Sequence, residues 1–362
     1  MSVGLALVRV ELDRRASRAR RAERRFGLLA HEHPEEGLRR IALGQLDRAV
    51  ELLEDDVPGA PGARTVHETR KALKRLRALV RLLGHELGEQ AFARENATLR
   101  DAGRRLAGAR DAEVILGTLD TLTKRSGKPP RRGVKRLRRE LVAERDRAAR
   151  ADLAAQAARA EVVAELRALR GKVARWSLPE LPGIELVEPG LKEIYRQGRR
   201  RLRRAARAKD IHGKRDRDKR KGRDKRKGSN GKRGTVKGLE DPRGLALHEW
   251  RKRVKDLRYT AEMLDRKGSG RDRRIRRVAR RADRLGEMLG EEHDLAVLAE
   301  RVNAADAAFR GRKGDRKALL KAIARRRRKL RQRALRDGRR LYRHKPKRFV
   351  REVRREYARA AK

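Results

Sequence analysis

Apolar residues recur at helical spacing along most of the chain, and turn residues divide this pattern into segments. Between residues 36 and 56 an apolar side chain appears every three or four positions, as an amphipathic helix requires. A run of Pro and Gly at 57–63 ends that helix, and Gly84 and Gly88 end the next one. The pattern predicts further helices at about 90–107, 110–124 and 131–174.

The order of segments repeats after residues 176–190, which are rich in Pro and Gly. A first helix is expected in LKEIYRQGRRRLRRAAR and a second in LALHEWRKRVKDLRYTAEML. RDRRIRRVARRADRLGEMLG is expected to form the third, HDLAVLAERVN to open a fourth, and residues 315–341 to form a final long helix. Because aromatic and β-branched residues are sparse, the chain is predicted to be all-α.

An eleven-residue pattern occurs twice in this arrangement. Residues 67–77 read HETRKALKRLR and residues 248–258 read HEWRKRVKDLR, so both copies fit H-E-x-R-K-x-x-K-x-L-R. Each histidine is followed by an aspartate at a similar distance, Asp111 after 44 residues and Asp294 after 46. The shared spacing predicts an internal duplication that extends beyond the pattern itself. The two aspartates are expected to cap a helix or orient a basic side chain.

Helical phase places the basic residues of each copy on one side and the apolar residues on the other. We call the basic side of each copy its cationic stripe. The stripes comprise His67, Arg70, Lys71, Lys74, Arg77 and Arg81 in the first copy, and His248, Arg251, Lys252, Lys255 and Arg258 in the second. Like charges on one helix face repel each other by a few tenths of a kcal/mol per pair, about 0.2–0.5. The stripes therefore favour an anionic ligand over a merely solvated surface.

The histidine that heads each stripe has two interpretations. Thr65 and Glu68 fit a capping box, which would place His67 near a helix N-terminus, where backbone N–H groups favour anions. Beside a phosphate, the pKa of the imidazole would rise. The alternative is a packed or solvent-facing histidine that makes one hydrogen bond.

Other predicted helices carry basic residues at helical spacing, and some of these must be ordinary surface. The basic residues at helical spacing include Arg94 in the first half. The further candidates for anion binding are Arg100, Arg104, Arg196, Arg199, Arg200, Arg203, Arg274, Arg277 and Arg281.

Composition narrows the class of partner. The 362 residues include 104 Lys and Arg against 51 Asp and Glu, a net charge of +53. Such a charge disfavours the compact state by self-repulsion unless a polyanion offsets it, which points to nucleic acid, inorganic polyphosphate or an anionic membrane surface. Cysteine is absent, so thiolate metal sites are excluded. No apolar run is long enough to span a bilayer, so no membrane association and a cytoplasmic location are expected.

These observations divide the chain into five parts. They are a basic N-terminal helix or arm at 1–35, a helical-bundle repeat at 36–175, a Pro/Gly linker at 176–190, a second repeat at 191–345 and a basic tail at 346–362. Within the second repeat, residues 209–243 have almost nothing apolar to bury and are expected to form a disordered insertion. That insertion is either a solvated tether or a second contact for a polyanion.

The duplicated helices resemble the signature helices of the CHAD family, the conserved histidine α-helical domain. VHETRKALKRLRALVRLL and LHEWRKRVKDLRYTAEML carry the resemblance, with LAGARDAEVI and LGEEHDLAVL as the matching Leu-Gly…Asp segments, over about residues 36–342. It implies two helical bundles related by a pseudo-twofold axis, enclosing a basic surface or pore that binds inorganic polyphosphate, and association with polyphosphate granules. The signature positions correspond to the residues of the two cationic stripes other than Arg81. Ala107 stands in the place of the family's Gly, and Asp256 in the place of Arg75 in the first copy.

The leading hypothesis is therefore a stand-alone, non-catalytic polyphosphate-binding protein that needs no cofactor. The E-x-E-x-K strand of the triphosphate-tunnel enzymes that accompany many CHAD relatives is not found in this sequence. No phosphate-cradling Gly loop or Asp cluster at metal-ligand spacing is found either, so neither a catalytic residue nor a metal is expected. The alternative is non-specific binding of DNA or RNA backbones, which the net charge also supports. The sequence carries no signal for a particular oligomeric state.

Overall fold

The computed structural model describes residues 25–29, 32–55, 62–106, 110–126, 131–150, 152–208, 242–266 and 273–361. Within these residues the chain forms eleven α-helices and no β-strand, which confirms the all-α prediction. The helices are α1 (Pro34–Glu54), α2 (Gly62–Leu82), α3 (Glu89–Arg105), α4 (Arg110–Ser126), α5 (Arg132–Arg150), α6 (Asp152–Ala174), α7 (Glu188–Arg207), α8 (Pro242–Leu264), α9 (Arg273–Ala304), α10 (Lys313–Leu341) and α11 (Pro346–Ala361). A short 3₁₀ turn, Glu185–Val187, leads into α7.

The prediction of separate third and fourth helices in the second half is wrong. Both lie in α9, a single helix of 32 residues that packs against α8 and α10. Gly290 falls inside it, because an isolated glycine in a helix interior costs only about 1 kcal/mol and packing on both neighbours offsets that. Asp294 is consequently an interior helical residue and not a cap at a junction.

The single helix predicted over 131–174 also differs from the structure, which has α5 and α6 there. The two helices have different neighbours: α5 packs against α4 and α10, whereas α6 packs against α1 and α3. Residue 151, between them, lies outside the described residues. The surrounding sequence is composed of good helix formers, so propensity alone gives no reason to divide it.

Two hydrophobic cores hold the helices together, and each draws on both halves of the sequence. The larger core includes Leu46 of α1, Leu76 of α2 and Leu257 of α8. The smaller core joins α4 and α5 to α9 and α10 through residues such as Leu119 and Leu298. The two halves are therefore packed into each other, and the internal duplication stays a prediction.

Direct packing of α2 against α8 sets the duplicated patterns side by side. The start of α7 supports this pair by approaching the end of α2 very closely. A Cβ built on Gly190 would lie 1.8 Å from the carbonyl oxygen of Leu82, so only glycine fits at this crossing.

The predicted C-terminal tail forms a helix, whereas two other predicted segments lie largely outside the described residues. Where the sequence predicts a basic tail, α11 forms a helix and buries Phe349, Val350 and Val353 against the bundle. The apolar residues of α11 recur every three or four positions, as in an amphipathic helix. The high charge of the segment made this spacing hard to recognise in the sequence. The predicted disordered insertion at 209–243 lies outside the described residues, except that its last two residues begin α8. Of the predicted N-terminal arm, residues 1–24 likewise lie outside them.

Among the described helices, none is both long and apolar enough to cross a membrane.

Candidate functional site

The opposite faces predicted for the duplicated helices are confirmed. Leu73, Leu76 and Val80 of α2 are at most 2% exposed, and Trp250 and Leu257 of α8 are fully buried. Because the apolar faces are fixed in the core, the cationic stripes must point the other way. They turn towards a common space between the helices.

That space is a cavity of about 1330 Å³, which we call the basic cavity. All eleven residues of the two predicted stripes line it, as do Arg100 and Arg104 of α3. The helical phase read from the sequence thus brings both copies of the pattern to one place. Fifteen Lys and Arg side chains line the basic cavity against five carboxylates, so its positive charge is far in excess.

The remaining sequence candidates do not line the basic cavity. They are Arg196, Arg199, Arg200 and Arg203 on α7, and Arg274, Arg277 and Arg281 on α9. Arg196 instead pairs with Glu193 at 2.6 Å, and Arg274 pairs with Glu352 of α11 at 2.6 Å. Arginine is so frequent on α7 that its spacing there selects no face.

Several residues of the basic cavity were not predicted. Arg125 of α4 and Arg326 of α10 both pair with Glu291, which holds them at the wall. Arg333 and Arg253 also line the space, and His293 of α9 lies beside the second stripe. Arg253 lies at the edge of the second stripe, and the other residues belong to helices that carry no copy of the pattern. Only the tertiary fold brings them to the basic cavity.

In the first copy, the last two arginines of the stripe are held in place by groups outside it. Asn96 Oδ1 accepts hydrogen bonds from Arg77 Nε at 3.2 Å and from Arg81 Nη2 at 3.1 Å. Arg81 also donates to Asp256 Oδ1 of α8 at 3.1 Å, and Arg253 lies 3.1 Å from the other oxygen of that carboxylate. Asp256 is therefore a buried connection between the two copies.

Burial and neighbouring positive charges disfavour the protonated form of Arg77. Removal from water, together with the positive charges of Arg81, Arg253 and Arg100, lowers the pKa of Arg77 to about 10, although Asp256 opposes the shift. Arg77 stays charged at neutral pH. Without a bound anion, the partly buried positive charge of Arg77 destabilises the protein, so binding of an anion is favoured.

The histidine of the second stripe is more enclosed than that of the first, which is exposed. His248 is half-buried with its ring centroid 4.5 Å from that of His293. Desolvation, followed by the charges of His293, Lys252 and Arg251, lowers the pKa of His248 to about 4, so its imidazole is neutral at pH 7. Its Nδ1 and the Nε of Arg251 are buried with no hydrogen-bond partner among the described residues.

Residues of α9 also surround Arg251 and Lys255 of the second stripe. A Cβ built on Gly290 would lie 3.2 Å from Nη2 of Arg251, so the glycine allows the guanidinium to lie against the helix. Burial and the charge of Arg251 lower the pKa of Lys255 to about 8, against the opposing effects of Glu287 and Asp294. Arg258, at the end of the stripe, is fixed by Glu262 at 2.7 Å and Asp283 at 2.5 Å.

The predicted capping box is wrong, because α2 begins at Gly62 and Thr65 lies inside its first turn. His67 is then the sixth residue of α2, and His248 is the seventh residue of α8. Neither histidine lies beside the free N–H groups of a helix start. Any affinity of these positions for anions must come from side chains. Of the two aspartates expected to be structural, Asp294 lines the basic cavity, and the side chain of Asp111 lies outside the described residues.

The CHAD domain matches residues 40–303, nearly three-quarters of the sequence. The chain belongs to the CHAD family. The match includes both cationic stripes and α9, whereas α10, which contributes Arg326 and Arg333 to the basic cavity, follows it. A comparison with curated proteins finds no match.

The chemistry available in this CHAD protein is that of multivalent anion binding. Guanidinium groups can grip two phosphate oxygens at once, and lysines act as mobile point charges. Among the described residues, no three His, Asp or Glu side chains are grouped so that they could hold a metal ion.

Proposed function

We propose that this CHAD protein binds inorganic polyphosphate in the basic cavity without transforming it. The observation that carries the proposal is that every residue of both cationic stripes lines one cavity. Polyphosphate has a negative charge at each unit and no bases, so a continuous wall of arginine and lysine suits it. Affinity should then be electrostatic and fall steeply with salt.

The size of the basic cavity favours a flexible single chain over a duplex. A volume of about 1330 Å³ equals a cube roughly 11 Å on a side. The major groove of B-DNA alone is about 12 Å wide, so a whole duplex does not fit. A polyphosphate chain is narrow and can bend along the wall.

The scarcity of aromatic side chains at the wall argues against single-stranded nucleic acid. Tyr259 is the one Phe, Tyr or Trp among the described residues that line the basic cavity, and it is 6% exposed. Proteins that bind single strands rely on stacking bases against exposed aromatic rings. Non-specific contact with a nucleic-acid backbone at the outer surface is the competing function.

The proposal extends to the cell, where binding would bring the protein to polyphosphate granules. It also holds that the protein is not an enzyme. Phosphate release from polyphosphate by pure protein supplied with Mg²⁺, lost in a stripe variant, would contradict that part.

Competition between polyanions tests the proposal. Long-chain polyphosphate and duplex DNA of equal total charge are titrated against each other at physiological salt, with fluorescence anisotropy as the readout. Polyphosphate should displace DNA, because only polyphosphate can enter the basic cavity. Displacement of polyphosphate by DNA would reject the proposal in favour of nucleic-acid binding.

A further inference from the structure

A second concave surface lies between the end of α7 and the start of α8. It encloses about 710 Å³ and we call it the arginine groove. Five arginines of α7 line it, namely Arg200, Arg201, Arg203, Arg204 and Arg207. Its apolar part is formed by Ala208, Pro242, Leu245 and Ala246.

Many arginines of the described helices pair closely with a carboxylate, but the five arginines of the groove form no such pair within the described residues. Within the described residues, none of the five donates a side-chain hydrogen bond or forms an ion pair. Arg196, one turn earlier on the same helix, pairs with Glu193 at 2.6 Å. Glu249 is the one carboxylate that lines the groove in the part of the chain that the structure describes, so five guanidinium groups face a single negative charge. The neighbouring guanidinium groups repel one another, and an anion would relieve that repulsion.

The apolar part of the groove strengthens this effect. Leu245 is 45% exposed, which is unusual for a large apolar side chain among the described residues. A cleft with charge of one sign and low-dielectric walls concentrates the electric field and attracts counter-ions. The groove thus combines an excess of positive charge with an apolar wall that strengthens its electric field.

The arginine groove adjoins the basic cavity. Glu249 lines both, and its carboxylate lies 2.6 Å from Nζ of Lys252, a member of the second stripe. In the first copy of the pattern the matching Glu68 lies outside both spaces and pairs with Lys71 at 3.3 Å. Within the described residues, the basic cavity therefore adjoins a further basic surface beside the second copy.

We propose that the arginine groove is a second subsite for the same polyanion, and that it receives the part of a long polyphosphate chain that leaves the basic cavity past Glu249. This inference rests on the proposed function. It makes the protein selective for chain length, because a short chain can fill the cavity without reaching the groove.

A pair of matched variants tests the subsite. The groove variant changes Arg200, Arg203 and Arg204 to Gln, and the control changes Arg132, Arg136 and Arg139 of α5 to Gln. All six arginines are exposed, and the control residues line neither the cavity nor the groove. Tripolyphosphate serves as the short probe, long-chain polyphosphate as the long one and duplex DNA as the competing polyanion, each titrated by calorimetry over a range of salt. Circular dichroism and urea midpoints establish that both variants are folded.

The groove variant should bind long chains about tenfold more weakly than the control and show a salt slope smaller by about 2, since three phosphate contacts are lost. Its affinity for tripolyphosphate should equal that of the control. Equal long-chain affinity in the two variants would overturn the subsite, as would a loss confined to duplex DNA, which would assign the groove to nucleic acid. Failure of the unmodified protein to bind either probe would instead overturn the proposed function.

Discussion

The two copies of the pattern have the same eleven-residue plan but different surroundings. On α2 the first histidine is exposed, and Arg77 and Arg81 are held by Asn96 and Asp256. On α8, His248 is half-buried against His293, and the pKa of Lys255 falls to about 8. A repeated sequence thus fixes which side chains face the basic cavity, while the neighbouring helices decide how strongly each one is desolvated.

The difference originates in α9. This helix continues past Gly290 and carries His293 alongside the second stripe, whereas in the first half α3 and α4 are separate helices. His248 is therefore covered on one side by α9, and charges beside its imidazole interact in a lower dielectric. We expect the two copies to contribute unequally to binding and to stability.

The largest expected effect concerns Asp256, where the two copies meet. Asp256→Asn removes the negative charge beside Arg81 and Arg253, whose side chains are 13% and 17% exposed. Leaving buried charges without their partner should lower the free energy of unfolding by about 3 kcal/mol, measured by urea denaturation. As a control, Asp101→Asn breaks an exposed pair with Arg100 and should leave the urea midpoint nearly unchanged. Equal midpoints for the two variants would show that Asp256 does not link the copies.

Charge reversal within one copy at a time is expected to separate the two stripes. Arg251→Glu with Lys255→Glu should weaken polyphosphate binding about a hundredfold, which corresponds to about 2.7 kcal/mol. Arg70→Glu with Lys74→Glu should cost about tenfold, because the histidine that heads their stripe is exposed to water whereas His248 is half-buried. Calorimetric titration with tripolyphosphate measures both. The reverse order would place the stronger half of the site on α2.

The dependence of binding on pH should be dominated by the second histidine. In the free protein burial and His293 lower the pKa of His248 to about 4, and Arg251, Lys252 and Glu249 also face it. A bound polyanion favours the charged imidazole, so binding should take up a proton and affinity should rise about tenfold as pH falls from 7 to 5. The stability of the free protein should change with pH in the opposite direction. Between about pH 6.5 and 4 the unfolded chain binds more protons than the folded protein, so the free energy of unfolding should fall as pH falls through that range.

Calorimetry in buffers of different ionisation enthalpy counts the protons taken up. Long-chain polyphosphate is the suitable ligand, because its internal phosphates do not titrate in this range. His248→Gln should remove most of the proton uptake, and His67→Gln should leave it nearly unchanged. Equal effects of the two substitutions would mean that the environments of the histidines do not differ during binding.

The smallest expected effect concerns the glycine beside Arg251. Gly290→Ala places a methyl group 3.2 Å from Nη2 of Arg251, so the guanidinium must shift and affinity for tripolyphosphate should fall about threefold. Stability should not fall, since alanine is favoured over glycine in a helix by about 1 kcal/mol. Gly117→Ala is the matched control, because a Cβ there meets nothing within 4 Å although Gly117 also lines the cavity. A loss of affinity in both variants would discount the contact with Arg251.

The sequence predicts the all-α fold and the inward face of α2 and α8, because helical phase depends only on local spacing. It predicts neither the continuous α9 nor the packed α11, where tertiary contacts override a glycine and a high charge. His293 and Asp256 could not be recognised as parts of the site. Their roles depend on which helices become neighbours, and no spacing along the chain contains that information.

The prediction of binding residues on α7 failed for a reason that is also local. On α7, arginines occupy almost every polar position, so the spacing of Arg196, Arg199, Arg200 and Arg203 could not separate a binding face from ordinary surface. Two of these four, Arg200 and Arg203, line the arginine groove and none lines the basic cavity. The duplicated pattern was informative because its basic residues alternate with a clear apolar face.

Simultaneous reversal of both stripes tests most directly whether the basic cavity is the polyphosphate site. Arg70, Lys74, Arg251 and Lys255 are changed to Glu, and the control changes Arg132, Lys135, Arg136 and Arg139 of α5, which are exposed and lie away from the cavity, to Glu. Net charge changes equally in the two proteins. At physiological salt the cavity variant should bind polyphosphate about a thousandfold more weakly than the unmodified protein, with the control within about threefold. Equal affinities in the two variants would contradict the assignment and place the binding surface elsewhere on the protein.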